Sequence, residues 1–250
     1  MSWVSLLGLA VTLVLLLLVE RWIHRHLQGT MLLLAGDREI AVVLYALPLM
    51  PGVLLHEASH ALTARLLGVR SGRLSIRPKL AGERIQLGSV PVAETDFIRA
   101  SLIGLAPLVT GSTVILLIGY LIFGIGRMQQ ALVTGDWMRV VADVSDILAV
   151  PDVWLWAYLI FAISNTMLPS RSDRAAWMPI LLFVLLVVAL AWFAGLGPAV
   201  VKRVGQPLDV ATPWLAAVYG FTLVADLPFV LLIVAFERLL QRLRGMRVEY

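Results

Sequence analysis

The 250-residue chain contains no cysteine, which excludes disulfides and any metal site built on thiolates. Charge is also scarce: Asp, Glu, Lys and Arg make up 14% of the residues against 60% hydrophobic ones. The mean hydropathy is +0.91. So little polar surface does not suit a soluble globular domain, and it makes nucleic acid an unexpected partner. No stretch is long and polar enough for a separate soluble domain, and no internal repeat is evident. What remains is a single membrane domain over 1–250, with the lipid bilayer as its first partner.

Apolar runs near the length that crosses a bilayer core, about 20 residues, fall at 3–19, 40–68, 99–124, 152–168, 177–196 and 211–236. They predict an all-α polytopic fold of six transmembrane helices. The first run has neither a basic start nor a small-residue cleavage site, so it is expected to be a retained span. With six spans the loops alternate sides. The basic residues of 65–99, 169–176 and the C-terminal tail outnumber those of 21–39, 125–150 and 197–212, which predicts that both termini face the cytosol. The excess of Arg over Lys points to a GC-rich prokaryote, and hence to a multi-pass protein of its cell membrane. The longest polar piece follows the second span. In it, Leu74 and Ile76 alternate with Arg73, Ser75 and Arg77, and a second short run follows at Ile85 and Leu87, which predicts a small β-hairpin on the inner face.

Four histidines occur in the whole chain, and two of them sit in "LLHEASHALTARLL" at 54–67. Ionisable groups at membrane depth are costly unless something pairs with them. His56, Glu57 and His60 form H-E-x-x-H. On a helix a four-residue step returns the side chain to nearly the same face, so both imidazoles can converge on one Zn²⁺. Glu57, rotated by about 100°, is left to act on a water at that ion as a general base. His24 and His26, two residues apart and on different helix faces, are expected at the interface after the first span.

A site of this type needs a third protein ligand and an open fourth position. The soluble H-E-x-x-H-x-x-G-x-x-H form is excluded, because Thr63 and Leu66 occupy the Gly and His places. Asp173, Asp226, Glu83 and Glu94 are the acidic candidates. Asp173 is favoured: it and His60 stand at nearly the same distance beyond the outer starts of their spans at 152 and 40, and Pro169 ends the helix before it. Asp226, inside the last span, is the alternative metal ligand.

Taken in order, "HEASHALTARLLGV" at 56–69, "LIGLAPLVTG" at 102–111 and "NTMLPSRSD" at 165–173 resemble the site-2 protease family of intramembrane zinc metalloproteases. The second segment is similar to the family's small-residue A-G-P-L-A-N stretch, and the third to its N-x-x-P followed by Asp-Gly. The resemblance covers the second to fourth spans, which form the catalytic core in that family. It implies zinc held by His56, His60 and Asp173, Glu57 as general base, and Asn165 near the substrate backbone. It also implies cleavage of a single-span membrane protein in or near its transmembrane segment, close to the cytosolic side. Here Asn165 stands one residue further from Pro169 than in the family pattern, so Thr166 is an alternative for its place, and Arg174 replaces the glycine. There is no room for the PDZ or CBS domains of some relatives. Two other classes stay open: a membrane zinc peptidase with a glutamate third ligand, and a non-catalytic scaffold or transporter. The hairpin, at 71–92, is a candidate edge for holding an unwound substrate segment by strand addition.

Overall fold

A computed structural model describes residues 3–81, 84–170, 172–175, 177–246 and 248. The chain is mostly helical, in the order α1 (Trp3–Ala35), α2 (Arg38–Ala46), α3 (Met50–Leu66), β1 (Lys79–Ala81), β2 (Arg84–Gln86), α4 (Phe97–Leu117), α5 (Ile125–Thr134), α6 (Trp137–Leu148), α7 (Val153–Met167), α8 (Trp177–Phe193) and α9 (Gly197–Arg244). A 3₁₀ turn at Leu47–Leu49 joins α2 to α3, and a π-helical turn at Ile118–Ile122 extends α4. Local signals explain several boundaries. Gly36, with φ of +68°, ends α1, and Asp37 then accepts the Glu39 and Ile40 N–H groups to start α2. Asp96 caps α4 in the same way through Ile98 and Arg99.

Four helical stretches are long and apolar enough to cross a membrane: Leu6–Ala35, Arg38–Leu66, Phe97–Ile122 and Ala211–Arg244. The pair α6 and α7, bent by 94°, adds a fifth if it is taken as one span. This is the architecture of a multi-pass membrane protein, with fewer such helices among the described residues than the six expected. The difference lies in three places. α1 continues well past residue 19, because His24 and His26 of "ERWIHRH" find partners on neighbouring helices. The expected loop at 125–150 contains α5 and α6. The run at 177–196 yields α8, only 17 residues long and exposed along most of its length.

Contacts fix the helix directions. Gly52 lies against Ala162 and Thr166, and His56 lies against Thr166, so α3 and α7 run parallel. Gly104 lies against Asp173 and Gly111 against Met167, so α4 runs antiparallel to both. At Gly52 an added Cβ would overlap the Ala162 carbonyl oxygen, and at Gly104 that of Asp173. Small residues let these backbones approach, as they do where helices pack in lipid. α1 and α9 lie side by side and parallel: His26 Nδ1 is 2.6 Å from Glu237 Oε2, and Arg244 Nη2 donates to Leu34 O at 2.6 Å. The C-terminal arginines therefore lie at the end of the bundle that carries Arg38. The expected sorting of basic residues, which set the tail with 65–99, does not hold.

The hairpin forms in the register Lys79↔Gln86, Leu80↔Ile85 and Ala81↔Arg84, with further bridges Ser75↔Ser89 and Ser71↔Val92. At each step away from the tip the first strand carries one residue more than its partner, the mark of a β-bulge. Unlike the expected hairpin, it does not rest on a membrane face. Its base, at Val69 and Val92, packs with Ala64 and Ile103. Its middle, at Gly88, touches Val53 and Glu57. Ile85 near its tip joins Tyr45 and Leu49 in a cluster that includes Ile76 and Leu87. The hairpin thus folds back along α3 and α2, drawn by three apolar side chains with nowhere else to be buried. Open strand edges at membrane depth are tolerated where they are covered by protein or line a watery cavity. A cavity of about 310 Å³ lies beside the tip, lined by Arg25, Gln28, Arg38, Tyr45, Leu80 and Ile85 among others.

Replacing Gly52 by Ala should force α3 away from α7 and destabilise the protein by about 1–3 kcal/mol, the usual cost of overpacking. Thermal unfolding in detergent measures this, and an unchanged midpoint would mean that the α3–α7 contact is not tight.

Candidate metal centre

α3 presents His56 and His60 from successive turns toward α4 and α7. Each imidazole is held through Nδ1 by a backbone carbonyl: His56 by Thr166 O at 2.6 Å and His60 by Ile103 O at 2.8 Å. A carbonyl only accepts, so each Nδ1 carries the hydrogen and each Nε2 of the neutral ring is left with a lone pair. The two Nε2 atoms stand 3.1 Å apart. The third member is Asp173, whose Oδ1 is 3.3 Å from His60 Nε2 and whose Oδ2 is 3.6 Å from His56 Nε2.

These separations test the fit to a metal. In a tetrahedral zinc site with bonds of about 2.0–2.1 Å, the ligand atoms lie about 3.3 Å from one another. Three electron-rich atoms facing each other at that spacing repel unless a cation sits between them. A shared proton would satisfy one pair of them; a metal ion satisfies all three. His56, His60 and Asp173 are the one group of His, Asp and Glu among the described residues whose ligand atoms converge in this way.

Asp173 reaches the site from the turn after α7. Ser170 N–H donates to Asp173 Oδ2 at 2.7 Å while Asp173 N–H donates to Ser170 Oγ at 3.3 Å, a reciprocal box across S-x-x-D. Its backbone rests on Gly104 of α4, which has no side chain in the way.

Glu57 is buried at 8% exposure and is not a member of the converging group. The hairpin covers it. A Cβ at Gly88 would come within 2.9 Å of its Oε1 and 2.8 Å of its Cγ. The other sequence candidates lie elsewhere. Asp226 on α9 is 0% exposed and accepts from Ser164 Oγ at 3.2 Å. Glu94 is exposed before α4, and Glu83 lies outside the described residues. Asn165 is 2% exposed, and its amide donates to Phe161 O at 2.9 Å and to Ser164 Oγ at 3.2 Å within its own helix. Thr166, its neighbour, contributes the carbonyl that orients His56.

His24 has a place that sequence reasoning missed. Its Nε2 donates to Asn165 O at 3.0 Å, and Tyr45 OH donates to its Nδ1 at 2.7 Å. The last turn of α7 leaves carbonyls without intrahelical partners, and two imidazoles from other helices take two of them. The available signal was helical continuity through residues 20–35, which brings His24 inside the bundle.

No family model, curated protein or solved structure matches this chain. The reading of the site therefore rests on its own geometry.

Metal analysis of detergent-purified protein should find one ion per chain in the wild type and in Asp226→Ala, and a loss of it in Asp173→Ala and His60→Ala. Retention by Asp173→Ala alongside loss in Asp226→Ala would overturn the ligand assignment.

Proposed function

We propose that the protein is a zinc-dependent intramembrane endopeptidase of the site-2 protease type, cutting a single-span membrane protein in or near its transmembrane segment. The observation that carries this reading is the convergence of two oriented imidazoles and a carboxylate, with a separate buried glutamate next in sequence, inside an apolar helical bundle. Histidine and carboxylate ligands without thiolate suit zinc in a catalytic rather than a structural setting. A bound zinc ion supplies Lewis-acid polarisation of the scissile carbonyl and acidifies water.

The rest falls to the chain's own residues. His56 and His60 are kept in one tautomer by Thr166 and Ile103, so no rearrangement is needed to bind the ion. Glu57, outside the ligand set, takes the proton of the attacking water and delivers it to the leaving amine. A helical substrate hides its carbonyls in i to i−4 bonds and must unwind before attack. The second hairpin strand runs past Glu57 at Gly88 and Val90, so a segment pairing with the hairpin at 71–92 would be carried to the base. The cavity beside the hairpin tip supports access of water from the bundle end bearing Arg38.

With the α6 and α7 pair entering the membrane through its α7 arm, α1, α2 with α3, α4, α7 and α9 alternate in direction. We infer a five-span arrangement with the two termini on opposite faces of the membrane, in place of the expected pair of cytosolic termini. Among the described residues no glutamate joins the converging histidines, and Glu94 is exposed. A non-catalytic scaffold is separated from an enzyme by experiment.

Glu57→Gln should keep the metal and lose cleavage of a single-span test substrate by about 100-fold or more, the usual contribution of a general base. Equal cleavage by this variant would remove the catalytic reading. Gly88→Ala, whose new methyl group must displace Glu57, should likewise keep the metal and lower kcat. A fall in metal content in Gly88→Ala would show that the hairpin supports the ligands and not the base.

A further inference from the structure

Between the spans α4 and α7 the chain makes the short helices α5 and α6, and α6 stands at 94° to α7. A helix perpendicular to a crossing helix runs in the membrane plane. The residues of α6 divide into three sides. Asp143 is buried and Ile147 packs against the cluster of Ile115, Ile118 and Ile160, which marks the side facing the protein. Trp137, Val141, Val144 and Leu148 recur at spacings of four, three and four, one stripe of a helix. They are 70%, 70%, 44% and 64% exposed. Arg139 and Asp146, both exposed, stand on the flank opposite that stripe. Asp136 caps the helix by accepting the Arg139 N–H at 3.0 Å, so its first turn does not depend on burial.

We propose that α6 lies in the membrane interface, with the stripe of Trp137, Val141, Val144 and Leu148 inserted at the headgroup and acyl-chain boundary and with Arg139 and Asp146 facing water. Three observations favour lipid over a protein partner. The exposed Leu148 that ends the stripe is followed closely in the chain by the exposed Trp154 and Leu155 in the first turn of α7, so apolar exposure continues from α6 into the next helix. Trp137 starts α6 and Trp154 stands in the first turn of α7, so a helix lying in the interface would hold both indoles at the depth where they concentrate. An apolar stripe set against a charged flank on a helix in the membrane plane is the pattern of an interfacial helix.

The placement also sets a depth. With α6 at one boundary, Thr166 lies about 20 Å further along α7 at 1.5 Å per residue. The hydrocarbon core is about 30 Å thick, so the metal centre lies roughly 10 Å beneath the opposite face. The inference goes beyond the proposed catalysis and stands whether or not the protein is an enzyme.

The natural chain has no cysteine, so single cysteines can be introduced and spin-labelled without background. Val141→Cys, Val144→Cys, Arg139→Cys and Asp146→Cys would be labelled in the full chain and reconstituted in phosphatidylcholine and phosphatidylglycerol vesicles. Labels at 141 and 144 should collide more often with oxygen than with a water-soluble nickel chelate, and labels at 139 and 146 should show the reverse. Chelate access at 141 and 144 equal to that at 139 and 146 would place α6 in water. Shielding of 141 and 144 from both reagents would mean that protein, such as a second copy of this chain, covers the stripe. Either result overturns the proposal.

Discussion

The site depends on two hydrogen bonds in which a histidine on α3 donates to a backbone carbonyl of another helix. The His56 bond to Thr166 and the His60 bond to Ile103 leave two bare Nε2 atoms 3.1 Å apart, an arrangement that is repulsive without a cation. Both bonds require helix backbones to come close. That closeness is supplied by Gly52 on the α3 to α7 contact and by Gly104 and Gly111 on the face of α4. In lipid there is little hydrophobic drive between helices, so close approach and bonds of this kind carry the association. One set of small residues thus serves packing and the orientation of the proposed ligands together.

A second constraint is the end of α7. Leu168 is extended and Pro169 follows, so the helix stops with its last carbonyls pointing into the bundle. His24 and His56 take two of them, and the chain then turns through Ser170 to bring Asp173 over Gly104. The same break that would be a defect in a lipid-facing helix becomes the means of delivering a carboxylate at depth. Within this irregular segment Asp173 is half-buried against α3 and α4, while Ser170, Ser172, Arg174 and Ala175 stay exposed.

Much of the proposed site was legible in the sequence. His56 and His60 announce themselves by spacing, and Asp173 by matched depth along two spans that the structure shows to run parallel. The hairpin was legible from alternation between Leu74 and Arg77. Its position was not: alternation tells which residues share a face, and what that face meets is set by the apolar cluster around Tyr45 and Leu49. Asn165 illustrates the opposite limit. Its place in a motif suggested contact with a substrate; the structure shows its Nδ2 bonded within α7 and its buried Oδ1 without a partner. The extent of α1 and the direction of α9 were misread because charged and polar residues were taken to mark helix ends. Here Glu237, His26 and His24 are paired across helices, and paired groups do not need the surface.

The sequence alone determined that this chain is rich in apolar runs of membrane-crossing length, that it is helical with one small hairpin, and that His56 and His60 share one helix face. These follow from composition and local periodicity, which are properties of neighbours along the chain. Tertiary structure decided that the first and last helices run parallel, that the hairpin lies against Glu57, and that α6 turns perpendicular to α7 with an apolar stripe outward. Each of these is settled by contacts between residues far apart in sequence, in which the burial of one side chain depends on the partner it meets.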